Sequence, residues 1–153
     1  MNDTDDLLHL LTDLLQTIKD GEEGFETAAQ DVDSKNLRDL FTRLSLERAA
    51  FRRELQKLAQ ELQGYQPDVG GSLVGAAHRG WIELRAVVAT QNEAAILDEC
   101  ERGEDSAVAA FKKALSEELP EHVRVVIAEE SKKIGASHDL VRDLRDKTKR
   151  SGD

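Results

Sequence analysis

Apolar residues recur every three or four positions along most of the chain, and this periodicity is the feature that most restricts its fold. The first run is Leu7, Leu11, Leu14 and Ile18, and such a spacing places the side chains on one face of an α-helix. Almost no segment shows the alternation of period two that is typical of a half-buried β-strand. The periodicity therefore predicts an all-α protein, with helices over about residues 5–32, 35–63, 79–119 and 120–148.

The connections between these stretches predict the architecture. Asp33 and Ser34 interrupt the first pattern and can cap the second helix, and Pro120 is well placed to open the fourth. Residues 64–78 lose the periodicity and contain Pro67 with several glycines, which indicates the longest connection in the chain. Four amphipathic helices with a long crossover between helices 2 and 3 are typical of a four-helix bundle. We predict that residues 1–153 form one such domain.

Composition and charge exclude several classes of function. Lys and Arg total 21 against 31 Asp and Glu, so the formal net charge is −10, which argues against a nucleic-acid-binding protein. No apolar run approaches the roughly 18 residues of a membrane span, so no membrane association is predicted. A single cysteine, Cys100, excludes an internal disulfide and suits a reducing compartment, so a cytoplasmic protein is expected. The sequence contains no Ser-His-Asp set, P-loop or zinc spacing, and this argues against an enzyme.

Each run of apolar residues is interrupted once near the middle of its helix, and each interruption contains a glutamate. The expected core position falls on or beside Glu22, Glu47, Glu104 and Glu130 in the four helices. A weak internal repeat supports this alignment, since residues 20–23 match residues 102–105. Four glutamates are therefore predicted to point inward at a similar height in the bundle.

Buried carboxylates at these positions allow two interpretations, because an isolated one costs several kcal/mol unless it is protonated, paired or coordinated. The four glutamates can coordinate one or two divalent cations. Alternatively, nearby cations neutralise them in a buried network, the candidates being Arg48, Arg102, Lys19 and Lys133. A shift of one position in the helical phase, which turns Glu23 or Arg48 inward instead, is also open.

Several segments resemble the ferritin-like superfamily and, within it, a group of uncharacterised bacterial four-helix-bundle proteins of unknown function. The resemblance implies a ferritin-like fold in which carboxylates from facing helices hold metal. By analogy with the superfamily it also implies a stress-related role and a homodimer that pairs through helix faces. The segments that carry it are Asp20-Gly21, Ala28-Ala29, Asp31-Val32, Gly71-Ser72, His78-Arg79-Gly80-Trp81, Glu99-Cys100-Glu101-Arg102-Gly103-Glu104-Asp105, Leu119-Pro120 and His138-Asp139.

The sequence departs from the superfamily at the metal ligands. Diiron members place a histidine three residues after the glutamate on two helices, whereas here Ala50 follows Glu47 and Lys133 follows Glu130 at that spacing. This departure argues against a redox diiron centre, and oxygen ligation alone favours hard ions such as Mn, Mg or Ca over zinc. If a metal is bound, Fe or Mn is the ion that the resemblance implies.

Two other groups of residues are candidates for function. His138 lies in the last apolar stripe, about 12 Å along the helix from Glu130, so the two cannot share a metal. We interpret it as a hydrogen-bonded histidine of the core or the helix end, with a pH-sensitive or ligand role left open. The cluster of His78, Arg79 and Trp81 either pins the crossover to the bundle through the indole or binds a partner.

These observations leave two functional hypotheses. The first is an uncharacterised ferritin-like bundle, stress-related in role, that binds a divalent metal through its inward glutamates. The alternative is a non-catalytic interaction or scaffold protein with a salt-bridged carboxylate core and no metal. A hydrolase that uses paired carboxylates comes third, because nothing in the sequence indicates a substrate cleft.

Overall fold

The computed structural model describes residues 3–63, 81 and 83–152, and this part of the chain is helical with short turns. No strand occurs among these residues, so the predicted all-α class is confirmed. None of the described helices is both long enough and apolar enough to cross a membrane. The predicted crossover over residues 64–78 lies outside the described residues. The helices are α1 (Asp3–Asp31), α2 (Lys35–Gln63), α3 (Leu84–Ala89), α4 (Glu93–Leu115) and α5 (Glu121–Gly152).

The long helices pack mainly as two sequential pairs. Helix α1 lies along α2, and α4 lies along α5, while α1 also contacts α4 and α2 contacts α5. The α1–α2 turn is tight because Ser34 accepts a hydrogen bond from the Leu37 amide at 3.3 Å, and Arg38 donates to the Val32 carbonyl at 3.2 Å. Each long helix thereby faces two others and can place side chains in a shared interior.

The prediction of one continuous third helix over residues 79–119 is wrong, because the helix is interrupted at residues 90–92. Gln91 has a φ of 55°, a left-handed conformation that ends α3, and the Asn92 side chain accepts a hydrogen bond from the Ala95 amide at 2.9 Å, which caps α4. The Gln91 side chain also donates to the Asp31 carbonyl and accepts from the Asp33 amide, both at 2.9 Å. These bonds fasten the α3–α4 corner to the α1–α2 turn, so the polar residues of this segment make a corner and not a helix.

The apolar core is divided into two clusters by the positions where the sequence periodicity breaks. One cluster lies near the α1–α2 turn and the other near the opposite end of α1. Along α1, α2 and α4, the polar interruptions fall between the two clusters. The first cluster includes Phe25, Phe41, Trp81, Val88, Leu97 and Val141, and the second includes Leu11, Ile18, Phe51, Leu55, Phe111 and Ile127.

Trp81 occupies a slot that two glycines create between α1 and α4. Its side chain is buried and meets Phe25 edge-on, with ring centroids 5.1 Å apart. A Cβ atom on Gly24 would lie 2.6 Å from the Trp81 ring, and a Cβ on Gly103 would overlap the same ring. The glycines are therefore required for the close approach of the indole. Its packing holds Trp81, three residues before the start of α3, against α1 and α4.

Replacing Gly103 with alanine should lower the free energy of unfolding by about 1–3 kcal/mol, because the new methyl group overlaps a rigid ring. Urea unfolding followed by far-UV circular dichroism and by Trp81 fluorescence measures this change. Gly135→Ala is the matched control, since a Cβ at this helical position meets no atom within 4 Å, and it should raise stability by about 0.5–1 kcal/mol. Equal stability of the two variants would show that the indole does not occupy the slot.

Candidate functional site

Each of the four long helices contributes a charged side chain to the protein interior. These residues are Asp20 on α1, Arg48 on α2, Glu104 on α4 and Glu130 on α5, and none is more than 1% exposed. Glu99 of α4 is also buried, so one cation and four carboxyl groups of the described chain lie in the interior. Charged groups rarely occur there unless they are paired, hydrogen-bonded or neutralised, so this polar layer is the first candidate for a functional site.

Arg48 makes the central ion pair of this layer. Its guanidinium donates to the Glu104 carboxylate, both side chains being fully buried, and to the Ser137 hydroxyl at 3.1 Å. The Ser137 hydroxyl also contacts Glu104. Gly21 makes room for this arrangement, because a Cβ there would lie 2.7 Å from Nη1 of Arg48. The break in the α1 stripe is therefore the space into which the guanidinium of α2 fits.

The structure brings only part of the predicted ring of glutamates into the interior. Glu104 and Glu130 are buried, whereas Glu22 and Glu47 are half-buried. Glu22 accepts two hydrogen bonds from Arg52, from Nε at 2.7 Å and from Nη2 at 3.1 Å, which links α1 to α2 at the edge of the layer. Within the described chain, no three of these four glutamates offer ligand atoms within 4.8 Å of one another.

The helical phase explains the difference on α1 and α2. Asp20 is buried where the sequence analysis placed Glu22, and Arg48 is buried where it placed Glu47. A phase shift that turns Arg48 inward was one of the open interpretations, and the burial of Arg48 agrees with it. The Arg48 side chain occupies the centre of the polar layer, and the adjacent residue Glu47 lies at the edge of the layer, half-buried.

Glu130 lies in an environment that favours its neutral form. The Glu54 carboxyl lies close enough to interact with its side chain, and the rest of the described structure offers its two oxygens no hydrogen-bond partner. Burial, together with the neighbouring Glu54 carboxyl, raises the pKa of Glu130 to about 10, although the charges of Arg48 and Lys133 act in the opposite direction. Burial also raises the pKa of Glu47. Glu130 is therefore protonated at neutral pH, unlike a carboxylate that is ready to bind a metal.

Sequence reasoning missed three polar residues that shape the interior. Ser137 completes the Arg48–Glu104 pair, and its place two turns after Glu130 is a periodic signal that could have identified it. Asp20 is buried in α1. Glu99 is buried in α4 and accepts a hydrogen bond from the Glu83 amide at 2.9 Å, which anchors the start of α3.

A second candidate lies on the seam between α4 and α5. Glu101 and Asp105 are one helical turn apart on α4 and face His138 on α5, and ligand atoms of all three lie within 4.8 Å of one another. Nε2 of His138 is 2.7 Å from Asp105 and 3.6 Å from Glu101, while Nδ1 is 3.1 Å from Asp139. Sequence reasoning placed His138 correctly apart from Glu130 but did not connect it with Glu101 and Asp105. The spacing of those two acids on α4 was the available signal.

The electrostatics of the seam favour a positive charge at His138. Burial lowers the pKa of His138, but hydrogen bonds with Asp139 and Asp105 and the charge of Glu101 outweigh burial, so its pKa is raised overall. Arg145 also reaches this seam, where it contacts Glu101 and donates to Asp98 at 3.0 Å. The carboxylates of α4 thus attract cationic groups from α5 along this line.

The structure also places the remaining sequence candidates. Trp81 is in the core, where it pins its segment to α1 and α4, while His78 and Arg79 lie outside the described residues. Cys100 is fully buried, and burial together with Glu104 and Glu99 raises the pKa of its thiol well above its usual range. Such a thiol is not activated as a nucleophile.

A family model described as a domain of unknown function (DUF2383) matches residues 6–117. The chain belongs to this family. The matched region extends from α1 through the end of α4, and α5 follows it. Arg48, Glu101, Glu104 and Asp105 lie within the matched region, while their partners Ser137 and His138 lie on α5 beyond it. Comparison with curated proteins gives no match.

Replacing Glu130 with glutamine should stabilise the protein at pH 8 by about 1–3 kcal/mol, because glutamine keeps the shape of the neutral acid without its ionisation. A raised carboxyl pKa means that folding takes up a proton, so the contribution of Glu130 to stability falls as pH rises from about 4.5 towards about 10. The advantage of the variant should therefore grow with pH over this range. Urea unfolding at several pH values measures it, and a difference that is independent of pH would contradict the assignment.

Replacing Glu104 with glutamine should have the opposite effect and lower the free energy of unfolding by about 3–5 kcal/mol, since Arg48 loses the partner of a buried charge. The exposed pair of Lys35 and Asp39, whose side chains are 79% and 64% exposed, provides the control. Asp39→Asn should change stability by less than about 1 kcal/mol in the same urea titration. A similar small effect for Glu104→Gln would show that the central pair is not buried in solution.

Proposed function

We propose that the protein is a non-catalytic, ferritin-like four-helix bundle that binds a divalent cation on the α4–α5 seam and not in its interior. The pairing of α1 with α2 and of α4 with α5, with a polar layer to which all four helices contribute, supports the bundle. The observation that carries the cation site is the convergence of Glu101, Asp105 and His138. The ferritin-like relationship itself rests on the sequence resemblance.

The central layer supports a structural role for the interior glutamates. The guanidinium of Arg48 already neutralises Glu104 at the position where a metal would need that carboxylate. Glu130 is kept neutral by burial, and Glu22 is engaged with Arg52. A divalent cation would therefore have to displace a buried arginine and remove a proton from Glu130, and both steps oppose binding.

The seam offers a better set of donors. In metal-binding histidines, one ring nitrogen usually hydrogen-bonds to a carboxylate or carbonyl group while the other binds the ion. Nδ1 of His138 lies 3.1 Å from Asp139 and fits this pattern. Nε2 then faces the Glu101 and Asp105 carboxylates. One imidazole and two carboxylates from adjacent helices suit Mn²⁺ or Fe²⁺, with water completing the shell. A bound ion would take the place of the proton on Nε2 and cross-link α4 to α5.

Titration of the protein with Mn²⁺ after chelator treatment tests this site. Calorimetry, or the loss of the free-ion electron paramagnetic resonance signal, should give saturable binding at pH 7.5, and His138→Gln should weaken it at least about 10-fold. Arg145→Gln should strengthen binding, because Arg145 competes for Glu101. Affinity should fall as pH is lowered, since protons compete for the imidazole.

The control variant is Glu130→Gln, which alters the interior and leaves the seam intact. If Glu130→Gln abolishes Mn²⁺ binding and His138→Gln does not, the ion is held by the predicted ring of Glu22, Glu47, Glu104 and Glu130, and the seam proposal fails. Absence of any saturable binding in the wild type would reject both metal sites. It would favour the alternative of an interaction or scaffold protein with a salt-bridged core.

Two further aspects of function stay predictions. The stress-related role follows from the superfamily resemblance alone. Homodimerisation through helix faces follows from the same resemblance, and size-exclusion chromatography with light scattering measures it directly.

A further inference from the structure

The polar layer contains buried atoms whose hydrogen-bonding capacity the described protein groups do not use. Arg48 has two of them, Nε and Nη1, on a side chain that is fully buried. Glu130 is 1% exposed, and its two oxygens meet no group other than the neighbouring Glu54 carboxyl, while Glu47 has its buried Oε1 unpartnered. Buried polar atoms are nearly always hydrogen-bonded to protein or to ordered water, so this cluster requires a ligand.

The chemistry of the unpartnered atoms restricts that ligand. The Arg48 nitrogens can only donate, the Glu47 oxygen accepts, and the neutral Glu130 carboxyl group both donates and accepts. The ligand must therefore accept from Arg48 and be able to donate to a carboxyl oxygen. A metal ion cannot accept a hydrogen bond from a guanidinium, and an anion would face the carboxyl groups. Water fulfils both requirements and is small enough for a packed interior.

Electrostatic proximity places these groups in one neighbourhood. The charge of Arg48 acts on Glu47 and on Glu130, and the charge of Lys133 acts on the same two carboxyl groups. Lys133 is exposed, with its ammonium 6.0 Å from the centroid of the Phe51 ring, and Glu47 is half-buried. Arg48 is the buried member of this group, with Nη1 beside Gly21 of α1 and its guanidinium carbon 5.5 Å from the centroid of the Phe25 ring, while Glu47 and Lys133 are closer to solvent.

From this arrangement we infer that the interior around Arg48 is a specific water-binding site, in which ordered water bridges the Arg48 guanidinium to Glu130 and Glu47. The water molecules satisfy the atoms that the Arg48–Glu104–Ser137 contacts leave unused. The site belongs to the polar layer and does not depend on cation binding at the α4–α5 seam.

A high-resolution crystal structure of the wild-type protein tests the inference directly. Electron density for water is expected about 2.7–3.2 Å from Arg48 Nε or Nη1 and at the same distance from a Glu130 oxygen or from Glu47 Oε1. A direct Arg48–Glu130 ion pair without intervening water would overturn the inference. A Glu130 side chain turned out to bulk solvent, or an ion at this position, would do the same.

Nuclear magnetic resonance of the Arg48 Nε–H group gives a second test in solution. The wild type should show a magnetisation-transfer cross-peak between this proton and water, and Glu130→Gln should keep it because the amide still offers an acceptor. Glu130→Leu removes that acceptor and fills the space, so the cross-peak should be lost or strongly reduced. A cross-peak of equal intensity in Glu130→Leu, or none in the wild type, would contradict the site.

Discussion

The buried ion pair between Arg48 and Glu104 is the interaction on which the middle of this protein depends. It joins α2 to α4, and Ser137 extends it to α5, so three helices are connected through one guanidinium. Charges this deep contribute little net stability compared with an apolar core of the same shape, but breaking one partner leaves an uncompensated charge. The pair therefore constrains which helices can face each other and at what height.

Small residues make this arrangement sterically possible. Gly21 leaves space for the Arg48 side chain, and Gly24 and Gly103 leave space for the Trp81 ring one helical turn further along α1 and on α4. The two large side chains thus enter the helix interfaces where α1 and α4 lack a Cβ atom. The aromatic slot belongs to the first apolar cluster, and along α1, α2 and α4 the polar layer separates this cluster from the second. An interior of this kind favours a fixed register between helices.

The division between interior and seam has a chemical consequence. In the interior, burial and an internal cation hold the carboxyl groups in neutral or paired states that leave little tendency to bind an added ion. On the seam, Glu101, Asp105 and His138 are closer to water and their charges are less strongly penalised by burial. Acidic residues on α4 that are separated by a fraction of a helical turn thus pair with a buried arginine on one face and form the proposed cation site on the other.

The sequence by itself determined the all-α class, the approximate extents of α1, α2 and α5, and the existence of polar interruptions in every apolar stripe. These properties follow from local periodicity and capping, which depend on residues only a few positions apart. Tertiary structure alone decided that Arg48 and Asp20 turn inward in place of Glu47 and Glu22. Each residue rotates a side chain by about 100°, Arg48 is one residue from Glu47 and Asp20 two from Glu22, and neighbouring helices select the phase. It also decided that residues 90–92 form a corner, since Gln91 is fixed by backbone groups of Asp31 and Asp33 some 60 positions away. The meeting of His138 with Glu101 and Asp105 was decided in the same way, because it requires two helices whose relative rotation no local pattern encodes.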